Sequence, residues 1–435
     1  MTSHSPELSA SASSCCNHIG HLEEQISMDA LQSLICKHAR SPSAVIQTPP
    51  MKGSYNLVYI IKLPDGRKWV ARISEPSSTD PQKFESTVGT MRLISEKTSI
   101  PLPIIHAYDS GSNNSLRFPY MLTSFIEGVP LSSLWTKQGA LNDETRRHIF
   151  QQIAEYMAQF RTLGFTQIGT LEFPGCDSSS YTIGPLREVK EGKVVYEIGP
   201  FSTTLSYINE LSSALLAKPL NSSLYSHFSV LRLISLFLPD KRFDGPPFVL
   251  SPPDFDSQNL MVDPHTFDVT GIMDWDDVYV GPRQGGYARY PSWITRDWDP
   301  VTYDYEPSDS SASETSSDDG EEENAALKEA EAARLARNLS SCEEPPATLQ
   351  AHRDLYLSIY STVDPEGADI TRYSHIFEAV HIALTQPEIS AGIVSKLIEY
   401  VFKKKWVTMG DLLLGIEQGD WIKVQIEEKN VESCA

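Results

Sequence analysis

The sequence predicts an α+β protein of two lobes, a small antiparallel sheet followed by a larger and mostly helical part. Short apolar runs dominate up to residue 127, and two of them are joined by Asp65-Gly66, a hairpin signal. From Asn142 onward, apolar residues instead recur every three and four positions, as in helices. With 435 residues, the chain is long enough to bury a sizeable core in such an arrangement.

The N-terminal lobe is predicted over residues 26–127, after a disordered tail of residues 1–25. Its first element is a short helix from Ser27 to His38, which carries apolar residues on one face. The remaining predicted elements are hairpin strands at residues 55–62 and 68–73, a helix from about Pro81 to Lys97, and a strand at residues 120–126.

The C-terminal lobe is predicted over residues 128–303 and again over residues 347–435. Its predicted helices begin at Asn142 and continue at residues 206–216, 226–237, 349–360 and 376–406. Residues 304–346 form an acidic insert that leads into an exposed helix. Residues 304–323 contain nine Asp or Glu and neither Lys nor Arg, so this stretch cannot bury enough apolar surface to fold.

The most informative stretch runs from Ser251 to Asp277. Asp254 and Asn259 are five residues apart, as in the D-x-x-x-x-N of kinase catalytic loops, and Asp274 follows a predicted strand–turn–strand over residues 260–273. Phosphoryl transfer from Mg·ATP needs such a set, in which one Asp orients the acceptor hydroxyl and an Asn and a second Asp hold metal ions. Asp254 and Asn259 alone would equally suit a polar turn, because both residue types are common there.

This stretch resembles the fungal branch of the aminoglycoside phosphotransferase family, which has a protein-kinase-like fold and carries H-x-D-x-x-x-x-N, a strand pair, and D-W-[DE]. The resemblance implies that Asp254 is the catalytic base and that Asn259 and Asp274 are metal ligands. Asp276 matches the second acidic position of D-W-[DE] and is a further candidate metal ligand. The motif's His falls at Pro252, a departure from the family pattern.

The resemblance also implies a phosphate-binding side. Gly53 and Ser54 match the glycine-bearing turn that covers the phosphates, because glycine permits close approach of the backbone. Arg72 stands where the family carries a phosphate-gripping Lys, and Arg can still fork onto phosphate oxygens. Backbone groups of Ser124 and Ile126 match the hinge positions that bind adenine.

Two further expectations concern packing around this site. The partner Glu of the phosphate-binding cation falls at Thr87, and Glu85 lies about 200° around the helix from it. The clamp on ATP is incomplete if Glu85 cannot reach Arg72. Residues 290–300 resemble a segment that recurs in fungal members, and we expect them to pack beneath the metal loop.

These residues predict an ATP- and Mg²⁺-dependent phosphotransferase that acts on the hydroxyl of a small molecule. The alternative is a pseudokinase, which binds nucleotide or a partner without turnover; Pro252, Arg72 and the missing helix Glu favour it, whereas the intact Asp254, Asn259 and Asp274 oppose it. A scaffold that recruits basic partners through its acidic insert is a third, weaker alternative.

Composition predicts a soluble cytoplasmic enzyme, and the family resemblance implies a small-molecule acceptor. The net charge of −21 argues against nucleic acid as a partner, because few cations are left to neutralise phosphates. No run approaches the ~18 apolar residues of a membrane span, and the N-terminus lacks the pattern of a secretory signal. The six scattered cysteines, which lack C-x-x-C spacing, are typical of reduced thiols.

Overall fold

A computed structural model describes residues 21–402, except for 54–55, 138, 175–179, 191–192, 217–221, 237, 253, 300–302, 306–342 and 387–388. Almost all of the predicted acidic insert, the predicted helix at residues 325–339 and most of the predicted tail therefore lie outside the described residues. The described part forms two hydrophobic cores, a smaller one within the N-terminal lobe and a larger one that joins the C-terminal lobe to residues 88–100 and Met121 of the N-terminal lobe.

The N-terminal lobe is built on a six-stranded antiparallel sheet. Its order is β1-β3-β4-β6-β5, with β2 also paired to β3. Buried and less buried residues alternate along β3 and β4, because one face of the sheet packs on the core. The strands are β1 (Val45–Ile46), β2 (Met51–Lys52), β3 (Asn56–Lys62), β4 (Lys68–Ser74), β5 (Ile105–Asp109) and β6 (Tyr120–Ser124).

Two helices flank this sheet. Helix α1 (Met28–Ala39) begins where the Ser27 side chain accepts a hydrogen bond from Ala30, and helix α2 (Pro81–Lys97) is capped in the same way by Asp80. The prediction of disorder is wrong for residues 21–25, which are helical. Leu22 is fully buried in the N-terminal core, so apolar burial orders this end of the predicted tail.

The C-terminal lobe is mostly helical and holds the larger core. Its helices are α3 (Ser132–Trp135), α4 (Asp143–Ala158), α5 (Thr204–Leu216), α6 (Ser222–Ser235), α7 (Pro346–Val363), α8 (Pro365–Thr385) and α9 (Ser390–Phe402). The prediction of a single helix over residues 376–406 is wrong, because helix α8 ends at Thr385 and helix α9 begins at Ser390. Residues 403–406 lie outside the described residues. Gln386 is non-helical and precedes Pro387, and a residue before proline avoids the α conformation.

Short strands in the C-terminal lobe position the candidate site. Strands β7 (Val129–Pro130), β13 (Leu260–Val262) and β14 (Val269–Ile272) form one sheet, and β12 (Val249–Ser251) pairs with β15 (Tyr279–Gly281). Two hairpins that the sequence analysis did not predict lie between α4 and α5: β8 (Thr170–Glu172) with β9 (Thr182–Gly184), and β10 (Leu186–Lys190) with β11 (Lys193–Ile198).

The observed architecture confirms the predicted fold class, which is α+β with a small antiparallel N-terminal lobe and a mostly helical C-terminal lobe. None of the helices in the described part of the chain is long and apolar enough to cross a membrane.

Candidate active site

Asp254 and Asn259 meet in the loop between β12 and β13. The Asn259 side-chain amide donates to the Asp254 carboxylate (2.9 Å) and to the Asp254 backbone carbonyl (3.1 Å). Gln258 donates to the same carboxylate oxygen at 3.1 Å. Asn259 is buried, whereas Asp254 is exposed to solvent. The five-residue spacing thus closes a compact loop in which Asp254 keeps an exposed carboxylate and Asn259 is held by its amide nitrogen.

Asp274 follows β14 at the open end of the predicted hairpin. The Met273 N–H donates to the Asn259 carbonyl (2.8 Å), which places the two candidate metal ligands on adjacent chain segments. Asp274 has a left-handed backbone conformation with φ of 56°, as does Asp277. Non-glycine residues in this region are uncommon, and such outliers cluster at functional sites.

The surroundings of Asp274 disfavour its ionised form in the absence of metal. Loss of hydration raises the pKa of its carboxyl group, Arg72 lowers it, and the negative charges of Asp254 and Asp277 raise it again. The net shift is upward. A cation placed at this carboxylate would relieve the repulsion from Asp254, since carboxylates close together favour a bound proton or a metal.

The donor set at this position fits magnesium. Mg²⁺ binds through one or two protein oxygens and keeps several waters. The side-chain oxygen of Asn259 and the carboxylate of Asp274 are donors of this kind. The Asn259 amide nitrogen is engaged with Asp254, which leaves its side-chain oxygen as the donor atom. No group of three His, Cys, Asp or Glu side chains suited to a metal occurs within the described residues. A fully protein-made cage is therefore not found there.

Arg72 lies on β4 and is held by two partners from different lobes. Both of its terminal nitrogens donate to the two carboxylate oxygens of Asp276, a fork-to-fork ion pair. Once the Asn56 amide is oriented to satisfy its hydrogen bonds, its oxygen accepts from Arg72 at 3.0 and 2.9 Å. Asp276, a predicted metal ligand, is thus occupied by Arg72, and its role with metal stays a prediction.

The predicted partner from helix α2 is engaged elsewhere. Both carboxylate oxygens of Glu85 accept hydrogen bonds, from Tyr108 (2.9 Å) and Ser110 (2.7 Å). Thr87, where the family carries its Glu, is buried. The carboxylate that fixes Arg72 therefore comes from the loop after β14 and not from the helix.

The remaining nucleotide-side predictions fall on the sheet and the connector. The Gly53 N–H donates to the Asn56 carbonyl (2.9 Å) and closes the turn between β2 and β3, while Ser54 lies outside the described residues. The Ser124 N–H donates to the Ile104 carbonyl (2.8 Å), so this donor is already used. Ile126 packs over Gly271, where an added Cβ would lie 2.3 Å from its Cδ1.

The connector between the lobes is fastened to the metal hairpin. The Thr270 hydroxyl donates to the Glu127 carbonyl (2.6 Å), and β7 pairs with β13. Gly128 has a φ of +125°, and a Cβ there would lie 2.6 Å from the Val262 carbonyl oxygen. This position requires glycine, because both its conformation and the close approach exclude a side chain.

Arg289 contacts the catalytic loop at Pro252, the residue that stands where the family motif has its His. The Arg289 guanidinium donates to the Pro252 carbonyl (2.7 Å) and to the Glu378 carboxylate on α8 (2.8 Å). It is 7% exposed. The sequence analysis missed this residue, because a lone Arg between Tyr and Ala residues carries no local signal of the contact.

Residues 290–299 contact the catalytic loop, and their expected packing beneath the metal loop stays a prediction. The Ser292 hydroxyl donates to the Asp256 carboxylate (2.8 Å), and the Ser292 N–H donates to the Phe255 carbonyl (3.0 Å). Trp293 packs edge-on against Phe255, with ring centroids 6.1 Å apart. The segment therefore holds the residues that follow Asp254.

Fungal relatives share short stretches with this chain. Altered inheritance of mitochondria protein 9, mitochondrial, from Meyerozyma guilliermondii is 26% identical over 155 residues, 34% of this chain and 25% of that protein. A subtelomeric hrmA-associated cluster protein from Aspergillus fumigatus is 31% identical over 122 residues, 28% of this chain and 23% of that protein. The chain spans about a quarter of the length of these curated relatives.

The predicted cytoplasmic location is contradicted by these comparisons. Several of the fungal relatives are named as mitochondrial proteins. The absence of a secretory pattern and of a long apolar run does not bear on mitochondrial import, which depends on a different pattern, an amphipathic segment.

Solved structures also align with most of the chain. An ethanolamine kinase from Plasmodium vivax is 12% identical, with a TM-score of 0.43 over 96% of this chain and 95% of that chain. An aminoglycoside phosphotransferase in a ternary complex with AMP-PNP and hygromycin B is 14% identical, with a TM-score of 0.39 over 82% of this chain and 98% of that chain.

The match that decides the family covers both lobes. The sequence profile of the phosphotransferase enzyme family, APH, matches residues 47–306, more than half of the chain. This range runs from before the turn at Gly53 to beyond the loop that carries Asp274 and Asp276. The protein therefore belongs to the APH phosphotransferase enzyme family.

Proposed function

We propose that this protein transfers the γ-phosphoryl group of ATP to a hydroxyl group of a small molecule, with Mg²⁺ as cofactor. Asp254 would accept the proton of the acceptor hydroxyl, and Asn259 and Asp274 would hold the metal. Arg72 would contact the phosphates. Bound Mg·ATP supplies the phosphoryl group and the positive charge that stabilises its transfer.

One observation carries this proposal. Asp254 and Asn259 are joined side chain to side chain, and Asn259 is joined through its carbonyl to the residue before Asp274. The candidate base and the two candidate metal ligands therefore lie on neighbouring chain segments that hydrogen bonds join. Catalysis of phosphoryl transfer rests mainly on such positioning and on charge stabilisation.

A pseudokinase is the second candidate, and a specific observation favours it. Arg72 is closed onto Asp276, and Glu85 accepts bonds from Tyr108 and Ser110 instead of from Arg72. If Arg72 does not leave Asp276, the protein would hold a nucleotide poorly or without turnover. The two candidates differ in what Asp254 does, because only a phosphotransferase needs it for chemistry.

Isothermal titration of ATP with and without Mg²⁺ tests the metal site first. Asp274→Ala is expected to abolish the Mg²⁺-dependent part of nucleotide binding, because it removes a carboxylate that opposes the metal charge. The matched control is Asp268→Asn, at the turn end of the same hairpin, where the carboxylate contacts His148 at 2.9 Å. This control is expected to bind nucleotide like the native protein.

Turnover then separates the two candidates. Asp254→Asn is expected to leave ATP binding nearly intact and to lower phosphotransfer by roughly 10²–10⁴-fold, the usual contribution of a positioned general base. Magnesium-dependent binding with no ATP consumption across a broad panel of hydroxyl compounds would establish the pseudokinase. Nucleotide binding that survives Asp274→Ala unchanged would remove the proposed metal site.

We further propose a mitochondrial location, by similarity to the relatives whose names carry it. A C-terminally tagged chain should co-fractionate with mitochondria. Recovery in the cytosolic fraction alone would contradict this.

A further inference from the structure

A cavity of about 220 Å³ borders the loop that carries Asp274, and its lining includes Asp277 of that loop but neither Asp254, Asn259 nor Asp274. It is open to solvent on one side and is lined by α2, the β10–β11 hairpin, α5, the end of α8, and the segment Asp277–Tyr279. Two lining residues are close in sequence or strand pairing to candidate site residues. Asp277 follows Asp274 by three residues, and Tyr279 pairs with Ser251, which precedes Asp254 by three residues.

The size of the cavity limits what it can hold. Pockets for drug-sized ligands measure ~300–1,000 Å³, so this cavity suits a smaller molecule. A single sugar ring or a short polyol is of that scale, whereas a compound of several linked rings is not.

The charges of the lining oppose a cationic ligand. Lys83 and Arg187 bring two positive charges, and Asp277 brings one carboxylate, which Lys83 already contacts at 2.9 Å. Arg187 is bound to Glu197, which is not among the lining residues. His381 adds no charge, since burial and, second, the nearby Arg289 lower its pKa to about 4. The lining residues Lys83, Arg187 and Asp277 together carry one net positive charge, which disfavours a bound amine.

The rest of the lining combines aromatic rings with hydroxyl groups. Three tyrosines contribute, Tyr196, Tyr207 and Tyr279, and the Tyr207 hydroxyl is fixed by His381 at 2.6 Å. Four aliphatic hydroxyls also line the cavity, from Ser86, Thr87, Thr170 and Thr385. Aromatic side chains offer broad apolar contact with a polar tip, which complements the C–H faces and hydroxyl edges of a sugar ring.

Ser86 gives the second, independent sign of a ligand. It is 3% exposed, lies on α2 and lines the cavity, and its hydroxyl oxygen has no hydrogen-bond partner within the described residues. A buried hydroxyl without a partner costs free energy. A ligand hydroxyl in the cavity would supply the missing bond.

We propose that this cavity binds a small, neutral, polyhydroxylated compound of about one sugar ring. The proposal stands on the cavity itself and not on the phosphotransferase function proposed above, so it is testable without nucleotide.

Binding is measured by isothermal titration with D-glucose, D-ribose and myo-inositol, each without ATP or Mg²⁺, against D-glucosamine as the charged counterpart of D-glucose. At least one neutral probe is expected to bind, and D-glucosamine is expected to bind at least tenfold more weakly than D-glucose. Absence of binding by all three neutral probes, or tighter binding of the amino sugar, would overturn the proposal.

A matched pair of variants on α2 tests the site. Ser86→Ala removes the hydroxyl in the cavity and is expected to lower the affinity for the neutral probe by about 2- to 10-fold, the range for one hydrogen bond. Thr90→Val is the control, because Thr90 is equally buried on the same helix, also lacks a hydroxyl partner within the described residues, and does not line the cavity. Equal effects of the two variants would refute the site.

Folding and function remain separable in this design. Neither variant deletes a hydrogen bond within the described part of the protein, and each removes a buried hydroxyl without a partner, so neither is expected to lower the melting temperature. Retained Mg²⁺-dependent ATP binding with no neutral ligand would refute the cavity proposal alone. Loss of nucleotide binding in the native protein, with a neutral sugar bound, would instead refute the phosphotransferase proposal.

Discussion

The ion pair between Arg289 and Glu378 allows a quantitative test of how the catalytic loop is held. Both side chains are largely buried, with 8% and 16% of their surface exposed, and they meet at 2.8 Å. Arg289 also donates to the Pro252 carbonyl. We expect Arg289→Met to lower the free energy of unfolding by about 3–5 kcal/mol, because it leaves a mostly buried carboxylate without its cation.

A double variant separates the two contributions of Arg289. In Arg289→Met with Glu378→Leu, no buried charge is left alone, and apolar replacement of a buried pair is often neutral. The expected remaining loss is about 1–3 kcal/mol, the cost of a buried carbonyl that has lost its donor. This carbonyl belongs to Pro252, two residues before Asp254, so turnover should stay low even when stability returns.

Urea unfolding of the four proteins of this cycle measures the coupling between the two positions. The two substitutions should be strongly non-additive, with the double variant more stable than Arg289→Met alone. If Arg289→Met lowered the free energy of unfolding by less than about 1 kcal/mol, or if the losses of the two single variants added, the ion pair would not stabilise the catalytic loop. Full turnover in the double variant would refute the role of the Pro252 contact.

Further predictions concern the nucleotide clamp and its connector. Asp276→Asn should strengthen ATP binding without Mg²⁺ by about 2- to 10-fold, because it weakens the ion pair that keeps the Arg72 guanidinium from the phosphates, while Glu85→Gln should leave ATP affinity unchanged in the same titration. Gly128→Ala should cost about 1–3 kcal/mol of unfolding free energy, measured in urea, because φ is positive and the Val262 carbonyl is close. Without metal, Asp274→Asn should stabilise the protein at neutral pH. The raised pKa of Asp274 means that native stability is greatest below the unfolded pKa and falls as pH rises through the folded pKa; the gain should vanish in acid, as followed by melting temperature against pH.

Local patterns explain why much of the fold was predictable. Ser27, Asp80 and Asn142 each cap a helix with the side chain, and all three helices were predicted to begin within a residue or so of these positions. The hairpin at β13 and β14 was equally predictable, because its apolar runs are separated by a turn sequence. Such signals act within a few residues, and so does the five-residue spacing of Asp254 and Asn259.

Contacts between distant segments were not predictable, because no period in a single sequence encodes them. Arg72 and Asp276 are 204 residues apart, and Tyr207 and His381 are 174 apart. The helix register could show that Glu85 faces away from Arg72, but it could not say which carboxylate replaces it. The short strands β8–β11 were missed for a related reason: they are stabilised by pairing across the hairpin more than by any pattern in one strand.

The displaced carboxylate partner has a consequence for how the two lobes cooperate. When a helix of the N-terminal lobe supplies the partner, the phosphate-binding cation is fixed within that lobe. Here the partner is Asp276, two residues after Asp274, so the Arg72 pair joins the sheet of one lobe directly to the metal loop of the other. The orientation of Arg72 and the position of Asp274 are therefore coupled through one loop. Trp275, which lies between Asp274 and Asp276 in sequence, anchors that loop by donating from its indole N–H to the Ile272 carbonyl at 2.9 Å. Any group that draws Asp276 away from Arg72 would free the guanidinium for phosphate and at the same time move the segment that carries Asp274.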